Sequence, residues 1–203
     1  LKIQRSSIMF TLEGKLTFIN IDQSYLKKLH DACSEVYYKP SGYENKPYIG
    51  ILINKNDRKY VIPLSSAKEK HKTWKNVDKE CYLVYEIAKK SSMGQGDIWV
   101  AAEDDVVKHI LSVMDIKKMI PIVDGVYSRV NINPVDTDND DVKKYKDLLN
   151  KEYSFCLKIV EDLIKKANRL YDSQMTTGRV KKFCCNFKIL EQVCDTYEIE
   201  SMD

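Results

Sequence analysis

The chain of 203 residues is short of the residues that mark many enzyme classes. Its three histidines and seven glycines form neither an HExxH metal helix nor a glycine-rich nucleotide loop. No apolar run approaches the roughly 20 residues of a membrane span, so no membrane partner is expected. The opening stretch LKIQRSSIMFTLEG lacks a long apolar core and a small-residue cleavage site, so a signal peptide is not expected. The six cysteines (Cys33, Cys81, Cys156, Cys184, Cys185 and Cys194) are too sparse for a disulfide scaffold and contain no CxxC pair. Reduced thiols in a cytoplasmic protein follow, without structural zinc. Paired carboxylates are missing too. The one dense acidic run, DTDNDD at 136–141, does not have EF-hand spacing, so neither a metal nor another cofactor is expected.

What is present suits a globular chain: 43% hydrophobic and 31% charged residues. The length suits one domain over 1–203, with 1–14 as an additional N-terminal segment and a helical C-terminal part from about 141. Net charge is only +3, but its distribution is uneven. Lys68, Lys70, Lys72 and Lys75 lie close together, and Arg179, Lys181 and Lys182 form a second basic group. Acidic residues gather at 136–141 and after Glu191. Such separation suits a protein with one basic face, and equally a set of solvated helix faces.

Hydrophobic patterning predicts an α+β protein. A compact, strongly twisted antiparallel sheet or partial barrel would be surrounded by helices. LTFINI (16–21) reads as a strand, and Asp22 as the cap of a short helix carrying Tyr25, Leu26, Leu29 and Cys33 on one side. YIGILI (48–53) and KYVIPL (59–64) flank NKNDR as a hairpin. Its first strand is apolar on both faces and belongs mid-sheet, with Gly50 marking a close approach or a bulge. Pro63 lacks a donor, so pairing should stop there. CYLVYEI (81–87), KMIPIV (118–123) and VYSRVNI (126–132) read as strands, and 101–114 as a helix carrying Val106, Val107, Ile110 and Leu111. A long helix spans roughly 141–172, and Asn186 caps a last one.

The most suggestive stretch is YVIPLSSAKEKHK, residues 60–72. Ser65, Ser66 and Lys68 follow directly on a core strand, and hydroxyls, amides and an ammonium together can hold phosphate oxygens. An ordinary helix cap is the plain reading of the same residues. His71 could act as acid or base, or do neither. Tyr43 could stack on a base and Lys46 meet a phosphate, or both could simply pack in their loop.

The ordered series TFINIDQSYLKKL, NKPYIGILI, KYVIPLSSAKEKH, KKMIPI and CNFKILEQ resembles the ToxN/AbiQ family, toxins of type III toxin–antitoxin systems. The resemblance runs from about Lys15 to Glu191, and PLSSAKEKH is its most specific part. It implies a metal-independent, sequence-selective endoribonuclease whose nucleophile is the RNA's own 2′-hydroxyl. It implies inhibition by a small structured antitoxin RNA, a pseudoknot-like repeat, alternating with toxin in a closed ring. Ser65 and Ser66 fall on the family's active-site hydroxyls and Lys68 on its catalytic lysine. Tyr43 and Lys46 fall near its substrate-loop tyrosine and basic residue, at a spacing one residue shorter. Lys70 and His71 lie in the same motif, and Arg179, Lys181 and Lys182 offer a second RNA-binding group. A noncatalytic RNA-binding module using the same basic groove is the alternative, and a protein partner without RNA is a third reading.

Overall fold

The computed structural model describes residues 9–12, 14–39 and 49–197. Tyr43 and Lys46 lie outside the described residues. Among the described residues, nine strands form one antiparallel sheet whose main path runs β5-β7-β4-β3-β2-β9. The path ends on two different strands, so the sheet stays open. The strands are β1 (Thr11–Leu12), β2 (Phe18–Ile21), β3 (Ile49–Lys55), β4 (Arg58–Ser66), β5 (Cys81–Lys89), β6 (Ile98–Glu103), β7 (Val106–Asp115), β8 (Ile120–Ile122) and β9 (Tyr127–Arg129). Three helices accompany them, α1 (Gln23–Ala32), α2 (Asp140–Thr177) and α3 (Phe187–Asp195).

The central hairpin forms as its sequence predicts, with a tighter turn. Lys55 pairs with Arg58, so only Asn56 and Asp57 turn the chain. Both have positive φ, 52° and 62°, as a two-residue primed turn requires of short polar side chains. Ile51, Leu52 and Ile53 are each almost fully buried, as expected of a strand apolar on both faces. Burial of such side chains contributes about 1.5–3 kcal/mol apiece. Gly50 is the expected close approach: a Cβ there would stand 2.4 Å from Val61 Cγ2 and 2.5 Å from the Ile62 carbonyl oxygen.

Pro63 does not end its strand. It still faces Gly50 of β3, and β4 runs on to Ser66. On the other edge of β4 the partner changes instead: Lys59–Val61 pair with β8, and Leu64–Ser66 with β7. The turn Ile116–Lys118 joins β7 to β8 across this gap. Pairing with β3 ends at Pro63, as its missing N–H predicts, and the strand goes on to Ser66 through β7 alone.

Residues 101–114 are not a helix. Glu103 closes β6, Asp104 and Asp105 make the turn, and β7 returns between β5 on one edge and β6 and β4 on the other. A strand buried on both faces carries a continuous apolar run, and over a short window this mimics a helical stripe. Asp22 is the N-cap residue of α1, yet its side chain makes no capping bond. The α2 stripe forms as expected, with Leu149, Cys156, Leu163, Ala167 and Leu170 buried at seven-, four- and three-residue steps. Asn139 Oδ1 accepts from the Val142 N–H at 2.9 Å, and Gly178 ends the helix in the left-handed region. Asn186 caps α3 through the Ile189 N–H at 3.2 Å. The N-terminal segment joins the core through Phe10, which is buried against Tyr60 and Tyr171.

Candidate active site

Strand β4 carries the candidate hydroxyls out to the edge of the packed region. Ser65 stands opposite Val113, and Ser66 opposite Ser112, in unbroken register. Side chains alternate along a strand, so the two serines leave on opposite faces. Ser65 Oγ donates to the Val113 carbonyl at 3.4 Å, and Ala67, two residues on, packs with Leu83, Ile110 and Val113. Ser66 is exposed, and Lys68 continues the chain in an extended conformation with its side chain also exposed. The structure therefore brings Ser66 and Lys68 to one side, and turns Ser65 to the other.

A 3₁₀ turn, Glu69–Thr73, fixes the lysine. The Lys68 N–H donates to His71 Nδ1 at 2.9 Å, and the His71 N–H returns to the Lys68 carbonyl at 2.8 Å. His71 is only 3% exposed, and its ring meets Trp74 at 4.6 Å between centroids. A ring nitrogen that accepts must be unprotonated, which leaves the hydrogen on Nε2 of a neutral imidazole. Burial first, then the Lys70 and Lys68 charges, lower the pKa of this histidine. It holds the backbone of Lys68 from beneath. Lys70 lies 5.6 Å from the Trp74 ring, and Lys72 pairs with Glu69 at 2.8 Å.

Tyr37 joins the other side of β4, and sequence reasoning missed it. Its hydroxyl approaches Ser65, and its pKa is pushed up to about 12, by burial first and then by the negative charge of Asp115. Lys118 Nζ stands 5.4 Å from the Tyr37 ring and is bonded to the Glu35 carboxylate, and to the Glu35 carbonyl at 3.1 Å.

Arg179, Lys181 and Lys182 are exposed just beyond the cap of α2. Lys181 is paired with Glu80, and Lys182 lies 4.8 Å from the ring of Phe183, itself 56% exposed. The segment is anchored near the end of β7: the Glu80 carbonyl accepts from the Ile116 N–H at 2.8 Å, and the Lys117 carbonyl from the Cys185 N–H at 2.8 Å. Lys68 leaves near Leu111, whose carbonyl accepts from the Ala67 N–H. The two basic segments are thus held at opposite ends of the stretch 111–117. Among the described residues, no three His, Cys, Asp or Glu side chains are grouped to hold a metal ion. No helix among them is long and apolar enough to cross a membrane.

Residues 17–195 match the family model of toxin ToxN of type III toxin–antitoxin systems. The chain belongs to this family. It is 27% identical over 199 residues to the endoribonuclease AbiQ of Lactococcus lactis subsp. lactis, across 94% of this chain and 93% of that protein. It is 22% identical over 188 residues to the endoribonuclease ToxN of Bacillus thuringiensis subsp. kurstaki, across 89% of this chain and 84% of that protein. The solved structure of AbiQ, a lactococcal anti-phage endoribonuclease, has the same fold at a TM-score of 0.61 and 23% identity, over 90% of this chain and 97% of AbiQ. A type III toxin selectively inhibited by a non-coding RNA pseudoknot shares it at 0.61 and 22%, over 89% and 96% of the two chains. The ToxN-family frame thus agrees with the resemblance read from the PLSSAKEKH stretch.

Proposed function

We propose that this ToxN-family chain is an endoribonuclease toxin, one domain over 1–203, that cleaves RNA by attack of the RNA's own 2′-hydroxyl on the neighbouring phosphate. The observation that carries the proposal is the juxtaposition of Ser66 and Lys68 at the end of β4, where Ser66 is paired with Ser112 of β7 and the Lys68 backbone is clamped by His71. Such a reaction needs in-line positioning, stabilisation of charge on the phosphorane and transfer of one proton to the leaving 5′-oxygen. Ser66 donates to a non-bridging oxygen. The Lys68 ammonium stabilises the developing charge and protonates the leaving group. Ser65, held by the Val113 carbonyl and neighbouring Tyr37, braces the strand end from the opposite face. Tyr43, Lys46 and Lys70 hold the flanking nucleotides.

The products are a 2′,3′-cyclic phosphate and a 5′-hydroxyl, and the step uses no metal. Between phage infections a small structured RNA, a pseudoknot-like repeat, occupies the same groove and the Arg179–Lys182 surface in the cytoplasm. Toxin and RNA alternate in a closed ring, because each RNA touches two protein molecules through different surfaces. The test is incubation of the purified protein with RNA in excess EDTA, followed by end-group analysis and sequencing of the fragments. Cleavage with cyclic phosphate ends supports the reading. Loss of activity with chelator and its return with magnesium overturns the mechanism, and RNA bound but left intact overturns the enzyme.

A further inference from the structure

We propose that Trp74 is the platform on which a base of the substrate RNA stacks, beside the phosphate that is cut; the proposal rests on the reading of the chain as a ribonuclease. The chain has two tryptophans, Trp74 and Trp99. Trp99 lies half-buried in β6, whereas Trp74 is 40% exposed at the end of the 3₁₀ turn that fixes Lys68. The Trp74 N–H donates to the His71 carbonyl at 3.1 Å. Its ring meets the imidazole at 4.6 Å between centroids, with the planes 63° apart. The same imidazole accepts the Lys68 N–H, so one buried histidine holds both the lysine backbone and the indole. Contact with His71 covers only part of the ring, and the rest lies open to solvent. The chain beyond it is fixed as well: the Asn76 carbonyl accepts from the Leu83 N–H at 2.9 Å, and Asn76 Oδ1 from Lys108 Nζ at 2.8 Å.

Single-stranded RNA is recognised by unstacked bases lying on aromatic faces while cations follow the phosphates. Both parts are present here. Lys70 Nζ stands 5.6 Å from the indole centroid, and the exposed Lys75 is its neighbour in the chain. With a phosphate at Ser66 and Lys68, the base of an adjoining nucleotide needs a surface that is close, flat and held still. Trp74 supplies it. The stack is made equally before and during bond breaking, so it lowers KM and leaves kcat to Ser66 and Lys68. Trp74 is thus a substrate-positioning residue.

Kinetics separate this role from that of a ring that merely shelters His71. Trp74→Ala should raise KM for a short RNA by about 5- to 150-fold at nearly constant kcat, and Trp74→Phe should recover most of the loss. A sheltering ring would act through the Lys68 clamp, so a fall in kcat at constant KM overturns the proposal. Fluorescence gives a second readout. With Trp99→Phe leaving one emitter, a 2′-O-methyl oligonucleotide, which has no nucleophile and stays intact, should quench Trp74 on binding. An abasic strand of the same length should bind without quenching; equal quenching by both strands means charge alone is at work and overturns the stack. Where a variant does not fold, photo-cross-linking of a bromouracil oligonucleotide to the unaltered protein decides, with Trp74 modified if the proposal holds and unmodified if it fails. Failure at Trp74 with cleavage intact leaves the ribonuclease reading standing, whereas RNA that is not bound at all overturns both.

Discussion

Replacing Glu152 with glutamine should make the protein more stable at pH 8 than at pH 4.5, relative to the parent. Glu152 lies on the buried stripe of α2, 5% exposed, facing β7. Ser112 is its polar neighbour, but Ser112 Oγ reaches no hydrogen-bond partner, so the carboxyl is poorly compensated. Burial pushes its pKa up from 4.5 to about 7, against the smaller opposing effect of Ser112. Between these values the folded state keeps a proton that the unfolded chain releases. Stability therefore falls as pH rises through this window, and the full deficit is present above about pH 7. A gap of this size corresponds to about 3 kcal/mol as an upper figure. Glutamine has nearly the same shape and does not titrate, so the difference between the two proteins should grow from pH 4.5 to pH 8 by up to that amount. In a chain of this length it equals roughly 6–12 °C in Tm. Urea unfolding at half-unit pH steps measures it, and other titrating groups cancel in the difference. Parallel stability curves for the two proteins would show that Glu152 ionises in the folded state as freely as in the unfolded one.

Lys68→Ala should lower the cleavage rate by about 100-fold or more with unchanged circular dichroism, as loss of a well-placed charge donor does; near-parental cleavage by the folded variant removes the residue from the chemistry. Ser66→Ala should cost about tenfold more in kcat than Ser65→Ala, because only Ser66 shares a side with Lys68; equal losses would mean the strand end rearranges on binding RNA. Neutralising Arg179, Lys181 and Lys182 together should weaken RNA binding and assembly more than cleavage of a short substrate. The slope of log affinity against log salt should fall by roughly 0.7 for each cation that met a phosphate, and an unchanged slope and assembly mass place the RNA elsewhere. Gly50→Ala should destabilise by about 1–3 kcal/mol, since the new methyl would press on the Ile62 backbone; a chemical denaturation midpoint within error of the parent refutes that.

Local chemistry written in the sequence determined the parts of this protein that depend on neighbours along the chain. The doubly apolar β3, a turn within NKNDR, the stripe of α2 and the Asn186 cap each follow from patterns of a few residues, and each formed, the turn tighter than expected. The place of Ser65 and Ser66 at the end of a core strand was legible in the same way, whereas the roles proposed for them and for Lys68 came from the family resemblance. Only the tertiary structure decided which edges meet. The run 106–114 satisfies helical and buried-strand spacing alike, and it is a strand because β5, β4 and β6 are there to take its backbone hydrogen bonds. Once β4 pairs with β7 in that register, the pleat separates Ser65 from Ser66 and brings Tyr37, a loop residue far off in sequence, to Ser65. His71 could be acid, base or neither from its sequence, and packing put it beneath the Lys68 backbone. Periodicity along a chain records what each segment will bury, and cannot record against which partner.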